Sequence, residues 1–361
     1  MLGLAWIGLA LRLARDRRQA PPLPPPMPDV PPTTVLLPVR DEEENLAACA
    51  ASMLAQHGQP ALCIIDDGST DRTSRILAGI AAREPRVTAL AARPLAAGWG
   101  GKVNALATAA EHVATPWILL TDADTRHRPE LLARAHAAAA EHRLDALSLS
   151  GRQLTKGPGE SLLTPAAYAL LDLMLGDWRP YARGEGPTPI ANGQYFLLRS
   201  DALRAIGGFD AIAGEALDDV ALARRLHASG FKIGFRRAGA ELTVRMYTGG
   251  RATFRGWRRN FALFVAARPA ATLAAIALPL ATATTMIVAG ALRAPAALAI
   301  CWLAGAAASA ASRQSSGNNP FTGAFFPLDA LLLAATLTCA MLDRARGRAA
   351  SWRGREIRIR R

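Results

Sequence analysis

The run Ala61-Leu62-Cys63-Ile64-Ile65 passes without a break into Asp66-Asp67-Gly68-Ser69-Thr70-Asp71. A short apolar run that ends in a polar, glycine-bearing turn reads as a buried strand. Two adjacent carboxylates at its carboxyl end then lie where open α/β sheets bind ligands. Residues 33–39, 117–121 and 144–149 read as strands of the same kind. Between them Leu46, Ala50, Met53 and Leu54 recur at helical spacing, and Pro129 opens a helix over 129–142, where a first-turn proline is tolerated. Four strand–helix repeats between Thr33 and about Thr253 predict an α/β domain with a largely parallel sheet.

Outward from this domain the composition changes. Residues 1–11 are uncharged and mostly apolar, and Arg12 ends the run short of the ~20 residues a spanning helix needs. Arg15, Arg17, Arg18 and a proline-rich stretch over 21–32 follow, with no small-residue cleavage site. The segment therefore reads as a signal anchor or interfacial helix plus a stiff linker, in preference to a cleaved signal peptide. After Arg268, residues 269–292 and 294–312 carry no charge and 321–342 carry only Asp329. Each run can cross about 30 Å of hydrocarbon, and none shows the amphipathic stripe of a bundle helix. If the amino-terminal segment also spans, three further spans would carry the arginine-rich tail outside, against the positive-inside rule. At least one apolar segment is therefore expected to be re-entrant or interfacial.

With 361 residues, 51% apolar and 20% charged, the chain is too long and too apolar for a disordered or disulfide-stapled polypeptide. Its net charge of +13 is concentrated at the ends, +3 over residues 12–18 and +6 over 343–361. Both clusters abut apolar segments, as basic residues facing anionic headgroups do, which favours a membrane surface over nucleic acid as partner. Cys49, Cys63, Cys301 and Cys339 form no CxxC pair, so nothing points to an oxidising compartment.

Four constellations could carry chemistry. Turn chemistry explains Gly68, Thr70 and Asp71 but not Asp66 beside Asp67, whose carboxylates could take a base N–H, a ribose hydroxyl or a metal. Asp122-Ala123-Asp124 follows the strand at 117–121; one or two carboxylates hold Mg²⁺ or Mn²⁺ when substrate phosphates complete the shell, and a solvated loop is the plainer alternative. Gly98-Trp99-Gly100-Gly101-Lys102 opens a helix where backbone and ammonium could meet an anion, yet Ala96 and Val103 break the P-loop pattern. Glu215-Ala216-Leu217-Asp218-Asp219 crowds acids at a helix start, which can raise one carboxylate's pKa and poise it as a general base. Near the front, Asp41 with Glu44 fits a capping-box-like start to the first helix.

Taken in order, Val39-Arg40-Asp41-Glu42, Asp66-Asp67-Gly68-Ser69, Gly101-Lys102, Asp122-Ala123-Asp124, Asn192-Gly193-Gln194 and Asp218-Asp219 resemble the motif series of family 2 glycosyltransferases with the GT-A fold. Ser351-Trp352-Arg353-Gly354-Arg355 resembles the tail of membrane-bound members, and Met246-Tyr247-Thr248-Gly249-Gly250 resembles a loop of members acting on carotenoid acids, hopanoids or other lipids. The resemblance implies an anchor and linker over 1–30, a Rossmann-like GT-A domain over 31–255, interfacial and transmembrane helices over 256–342, and a basic cytoplasmic tail over 343–361. It implies that Glu42 and Asp67, helped by Asp66, hold uridine and ribose, that Lys102 faces the diphosphate, and that Asp122, Arg258 and Arg259 add to donor binding. Asp124 with Asp122 would bind Mn²⁺ or Mg²⁺, and Asn192, Gly193, Gln194 and Trp257 would line the acceptor, with core packing the alternative for Trp257. Asp219 would be the catalytic base; the family's Glu-Asp pair stands here as Asp218-Asp219, which leaves open which carboxylate acts.

The Gln-x-x-Arg-Trp motif of processive synthases is replaced by Phe254-Arg255-Gly256-Trp257-Arg258-Arg259-Asn260-Phe261, so transfer of a single sugar is expected. The expectation is a multi-pass enzyme of the inner membrane, metal-dependent and inverting. It would move one sugar from a UDP-sugar to a lipid-soluble acceptor, with no nucleic-acid partner. Two alternatives stay open: a polyprenyl-phosphate sugar transferase, and an inactive membrane scaffold that keeps the GT-A domain.

Overall fold

The four expected strands form, and four shorter or less apolar ones join them. In the computed structural model, which describes all residues except 216, 348–349, 353–354 and 358–361, the strands of the main sheet are β1 (Thr33–Val39), β2 (Ala61–Asp66), β3 (Val87–Ala91), β4 (Trp117–Leu120), β5 (Thr125–His127), β6 (Ala146–Gln153), β7 (Phe196–Arg199) and β8 (Ile233–Val244). Arg353 and Gly354 of the tail motif lie outside the described residues. The sheet order is β3-β2-β1-β4-β7-β6-β8-β5. Pairs β1–β2, β2–β3 and β1–β4 are parallel, whereas β4–β7, β6–β7 and β5–β8 are antiparallel. The largely parallel sheet expected from the sequence is thus corrected to a mixed one. Parallel neighbours need a crossover, and helices Leu46–Leu54, Thr73–Ala81 and Gly101–Ala110 supply it only for the first four strands. β7 instead enters from the loop around Asn192 and runs against both of its neighbours.

Strand order reverses at β1, which pairs with β2 on one side and β4 on the other. The crevice at such a switch point opens beyond the carboxyl ends of the strands, here at Arg40–Asn45 after β1 and Thr121–Asp124 after β4. One core cluster fixes what faces it: Leu36, Ile65, Leu120 and Phe196 of the sheet pack with Val103 and Leu106 of one helix and Leu222 and Leu226 of another. Burying Val103 sets Lys102 at the sheet edge. Asp219 stands three and seven residues before Leu222 and Leu226, on the same helix face, so burying those leucines turns Asp219 inward. The proline-rich stretch, expected to be a linker, is tied down: Met27 N–H donates to Ala133 O (3.4 Å), and Arg134 and Arg236 donate to the carbonyls of Pro24 and Pro22.

The chain divides into two compact units, Ala20–Arg152 with Asp177–Val244, which holds most of the sheet, and Met1–Gln19 with Gln153–Gly176 and Arg245–Arg361. The second is mainly helical, with Tyr168, Trp257, Phe261, Leu333 and Leu337 in one of its cores. Two of its helices, Pro269–Ala291 and Pro295–Gln314, are long and apolar enough to cross a membrane, and only a minority of each is buried. The third run, 321–342, does not form a single span: a 3-10 turn at Pro320–Phe325 takes its start and the helix Leu328–Ala345 follows. Its one charge, Asp329, is buried and accepts from Arg313 (2.7 Å) and from the Ser309 hydroxyl.

Candidate active site

The loops after β1 and β2 are laced together by their own polar side chains. Asp41 adopts a left-handed φ of 51°, and its Oδ1 accepts from the Thr70 N–H at 2.7 Å. The capping-box expectation is therefore corrected: the helix starts at Leu46, and Asp41 caps the neighbouring loop instead. Glu42 N–H donates to the Thr73 hydroxyl (2.8 Å), and its carboxylate accepts from Asn45 (2.9 Å). Asp66 proves to be a partner of its own turn, accepting from the Ser69 N–H (2.9 Å) and hydroxyl (2.5 Å) and from the Ser74 hydroxyl. Asp67 is buried with Arg40 at 3.7 Å. Asp66 thus has partners within its own turn and the start of the next helix.

The remaining acids converge on Lys102. The helix Gly101–Ala110 starts from an extended Gly100, whose N–H donates to Ala213 O at 2.8 Å. From its first turn Lys102 Nζ lies 2.8 Å from Asp122 Oδ1 and 3.2 Å from Asp218 Oδ2. Burial alone would lower the lysine's pKa, but Asp122, Asp218 and Asp219 outweigh it and hold the ammonium charged. Asp219 accepts from Gly193 N–H at Oδ2 (2.7 Å) and from Val220 N–H at Oδ1 (2.8 Å). Burial and repulsion from Asp218 nonetheless push its pKa up to about 6. Asp124 is raised further, by burial and by Asp122 and Glu42.

Gly193 sits at the centre of this cluster. A Cβ there would stand 3.0 Å from Lys102 Nζ, 3.5 Å from Asp122 Oδ2 and 3.6 Å from Asp219 Oδ2. Asn192 and Gln194 brace each other, Asn192 Nδ2 donating to Gln194 Oε1 and Gln194 N–H to Asn192 Oδ1, both at 3.1 Å. Four carboxylates, Asp122, Asp124, Asp218 and Asp219, thus share one ammonium, an arrangement that favours a further cation. Among the described residues no three His, Cys, Asp or Glu side chains converge to hold a metal by themselves. A hard divalent cation needs only one or two carboxylates when phosphate oxygens complete its shell. Asp124 Oδ1, buried and without a hydrogen-bond partner, beside Asp122 fits that donor set.

Three expected residues belong to the other compact unit. Trp257 is buried among Tyr168, Tyr247 and Phe261, the packing that was the alternative to an acceptor contact. Arg258 is ion-paired with Asp343, and Arg259 donates to Asn260 at 3.4 Å. Sequence reasoning missed the layer beneath the acids, Thr121, Thr125 and His127, although two of these flank the Asp122-Ala123-Asp124 motif.

The site is a switch-point crevice of an α/β domain, lined by paired carboxylates and a lysine. Residues 34–207, just under half of the chain, match the model of the family described as Glycosyl transferase family 2. Among solved structures, the mannosyltransferase PcManGT from Pyrobaculum calidifontis in complex with GDP-Man and Mn²⁺ aligns with a TM-score of 0.59 at 19% identity, covering 95% of this chain and 96% of that one. At this identity the likeness is one of fold. S. aureus TarS 1-349 in complex with UDP-GlcNAc aligns over 90% of this chain and 95% of that one at 13% identity, TM-score 0.44. Mannosyl-3-phosphoglycerate synthase from Rubrobacter xylanophilus aligns over 67% and 74% at 16% identity, TM-score 0.37. No curated protein sequence matches the chain.

Proposed function

We propose that the protein is an inverting glycosyltransferase that moves one sugar from a nucleotide-sugar, a UDP-sugar on the family resemblance, to a lipid-soluble acceptor. The observation that carries this reading is the convergence of Lys102, Asp122, Asp218, Asp219 and Gly193 beyond the strand ends. Lys102 has three N–H donors, two of them directed at Asp122 and Asp218, so one remains for an oxygen of the donor diphosphate. The Glu42 and Asp67 loops, rigidified by their hydrogen bonds, hold the nucleoside. Asp219 takes the proton of an acceptor hydroxyl or carboxyl group, the freed oxygen attacks the anomeric carbon, and the bond to the diphosphate breaks on the opposite face. A divalent cation held by Asp124 and Asp122 would supply positive charge at the departing diphosphate. The mannosyltransferase of like fold is described with GDP-Man and Mn²⁺, which supports this assignment.

The acceptor reading rests on the helices Pro269–Ala291 and Pro295–Gln314, whose exposed Leu273, Leu280, Ile287, Ile300 and Leu303 suit lipid better than water. Two crossings return the chain to the face it left, so Arg268 and the arginines after Asp343 would share one basic face, in keeping with the positive-inside rule. The test is substitution of Asp219 by Asn in detergent-purified protein supplied with UDP- and GDP-sugars and membrane lipid extract. Sugar transfer to a lipid product should be lost while nucleotide binding persists, and retained transfer would sink the assignment of the base. A product that is acid-labile and carries phosphate would instead mark a polyprenyl-phosphate acceptor.

A further inference from the structure

Beneath the acids lies a buried polar layer to which the reaction assigns no task. Thr121, Thr125 and His127 are 1%, 0% and 5% exposed. Thr125 Oγ1 donates to the carbonyl of Asp122 at 2.7 Å, and Thr121 Oγ1 donates to the carbonyl of Gln194 at 2.8 Å. A hydroxyl has a single proton, so with both committed to carbonyls the two threonine oxygens can only accept. His127 Nε2 lies 2.8 Å from Thr125 Oγ1 and 3.2 Å from Thr121 Oγ1. The two hydroxyl oxygens also lie 3.1 Å apart; with each hydroxyl proton directed at its carbonyl, the ring supplies the proton in the His127 contacts, from Nε2. Nδ1 is then an acceptor, and it is buried without a partner.

We infer that His127 is a positioning residue: its Nε2–H orients the Thr125 and Thr121 hydroxyls, and through them the Asp122 and Gln194 carbonyls, so that one side chain sets the spacing of the two loops that meet at Lys102. The links onward are short. Asp122 reaches Lys102 at 2.8 Å, and Gly193, next to Gln194, donates to Asp219 at 2.7 Å. A position that only had to fill the core would take an apolar side chain, since an unpaired buried nitrogen costs free energy. Burial and the neighbouring Arg126 charge push the imidazole's pKa down to about 3, which keeps the Nε2 tautomer uncharged at working pH. The inference rests on the glycosyltransferase reading for its consequence but not for its geometry.

The test has two arms on the full chain. Nitrogen-15 NMR of the ring should find His127 protonated on Nε2 alone, and His127→Phe should speed hydrogen exchange at the Gly193 amide. A proton on Nδ1, or unchanged exchange, would overturn the inference without any substrate in the tube. In turnover of UDP- and GDP-sugars, His127→Gln, whose amide N–H can replace Nε2–H, should stay within about threefold of wild type. His127→Asn and His127→Phe should lose about ten- to a hundredfold in kcat with little change in KM, the cost of misplacing a site by a fraction of an ångström. Equal losses in the Gln and Phe variants, or losses that track a fall in Tm, would reduce His127 to a structural core residue. Wild-type protein inert toward every nucleotide-sugar would sink the glycosyltransferase reading, and with it the catalytic consequence, while the first arm still decides the tautomer.

Discussion

Replacing Gly193 by Ala perturbs the site by one carbon and little else. Gly193 is not among the described glycines with positive φ, so the backbone accepts alanine without strain. The new Cβ would fall 3.0 Å from Lys102 Nζ, closer than a carbon and an ammonium nitrogen sit without strain. Nζ cannot retreat freely, because it is held at 2.8 Å by Asp122 and at 3.2 Å by Asp218. A shift of a few tenths of an ångström must loosen one of these pairs and move the ammonium from the path of the diphosphate. Misplacement on this scale is worth roughly ten- to a hundredfold in kcat, about 1.4 to 2.7 kcal/mol of activation free energy. The assay is release of UDP or GDP from a panel of nucleotide-sugars, with thermal unfolding measured in parallel. Full activity in Gly193→Ala would refute the claim that Lys102 and its carboxylates form the reacting centre; a loss that merely follows a lowered Tm would refute it too.

Other expectations follow from the same contacts. The proposed base, Asp219, can act only when ionised, and its pKa is raised to about 6, so kcat/KM should climb as pH rises through that value; a flat profile between pH 4.5 and 8 would contradict the assignment. Asp219→Asn should cost about 10²- to 10⁴-fold in transfer, the usual worth of a general base, with nucleotide affinity nearly unchanged by calorimetry. Asp329→Asn strands the fully buried Arg313 and should destabilise the helical unit by about 3 to 5 kcal/mol in thermal unfolding, whereas Arg313→Met with Asp329→Leu should recover much of that. Burial opposes ionisation of Glu160, but hydrogen bonds from Gly249, Arg245 and Lys156 prevail and depress its pKa. Its contribution should therefore be complete above the ordinary glutamate range and fade as pH falls through the depressed value, and Glu160→Gln, read by chemical denaturation, should cost about 1 to 3 kcal/mol at neutral pH.

The parts of the fold legible in the sequence are those where one residue type decides the outcome. Apolar runs at 33–39, 61–65 and 117–121 announce buried parallel strands, and acids after each of them announce the crevice. β8 was hidden because Ile233–Val244 carries Arg236 and Arg237, and only the structure shows Arg236 buried against Glu141 at 2.8 Å. β7 is four residues long, and its antiparallel pairing, set by the loop before it, is what makes the sheet mixed. Lys102, Asp122, Asp124 and Asp219 could each be singled out from local pattern. That the lysine bonds two of the acids could not, since Asp122 and Asp218 lie 20 and 116 positions away and only long-range packing joins them. Asp66 is the opposite case: its partners, Ser69 and Ser74, lie within one turn and one helix start. The apolar run 321–342 looks uninterrupted in the sequence because hydropathy does not register the turn at Pro320–Phe325 or the Arg313 partner that lets Asp329 be buried.

The most direct measurement is calorimetric titration of UDP and of GDP into detergent-purified protein, with and without Mn²⁺, comparing wild type with Asp124→Ala. The account predicts binding of at least one of the two nucleotides that strengthens with Mn²⁺, and loss of the Mn²⁺ dependence in the variant. Absence of binding by either nucleotide, or binding indifferent to both the metal and Asp124, would contradict a nucleotide-sugar site built on Lys102, Asp122 and Asp124.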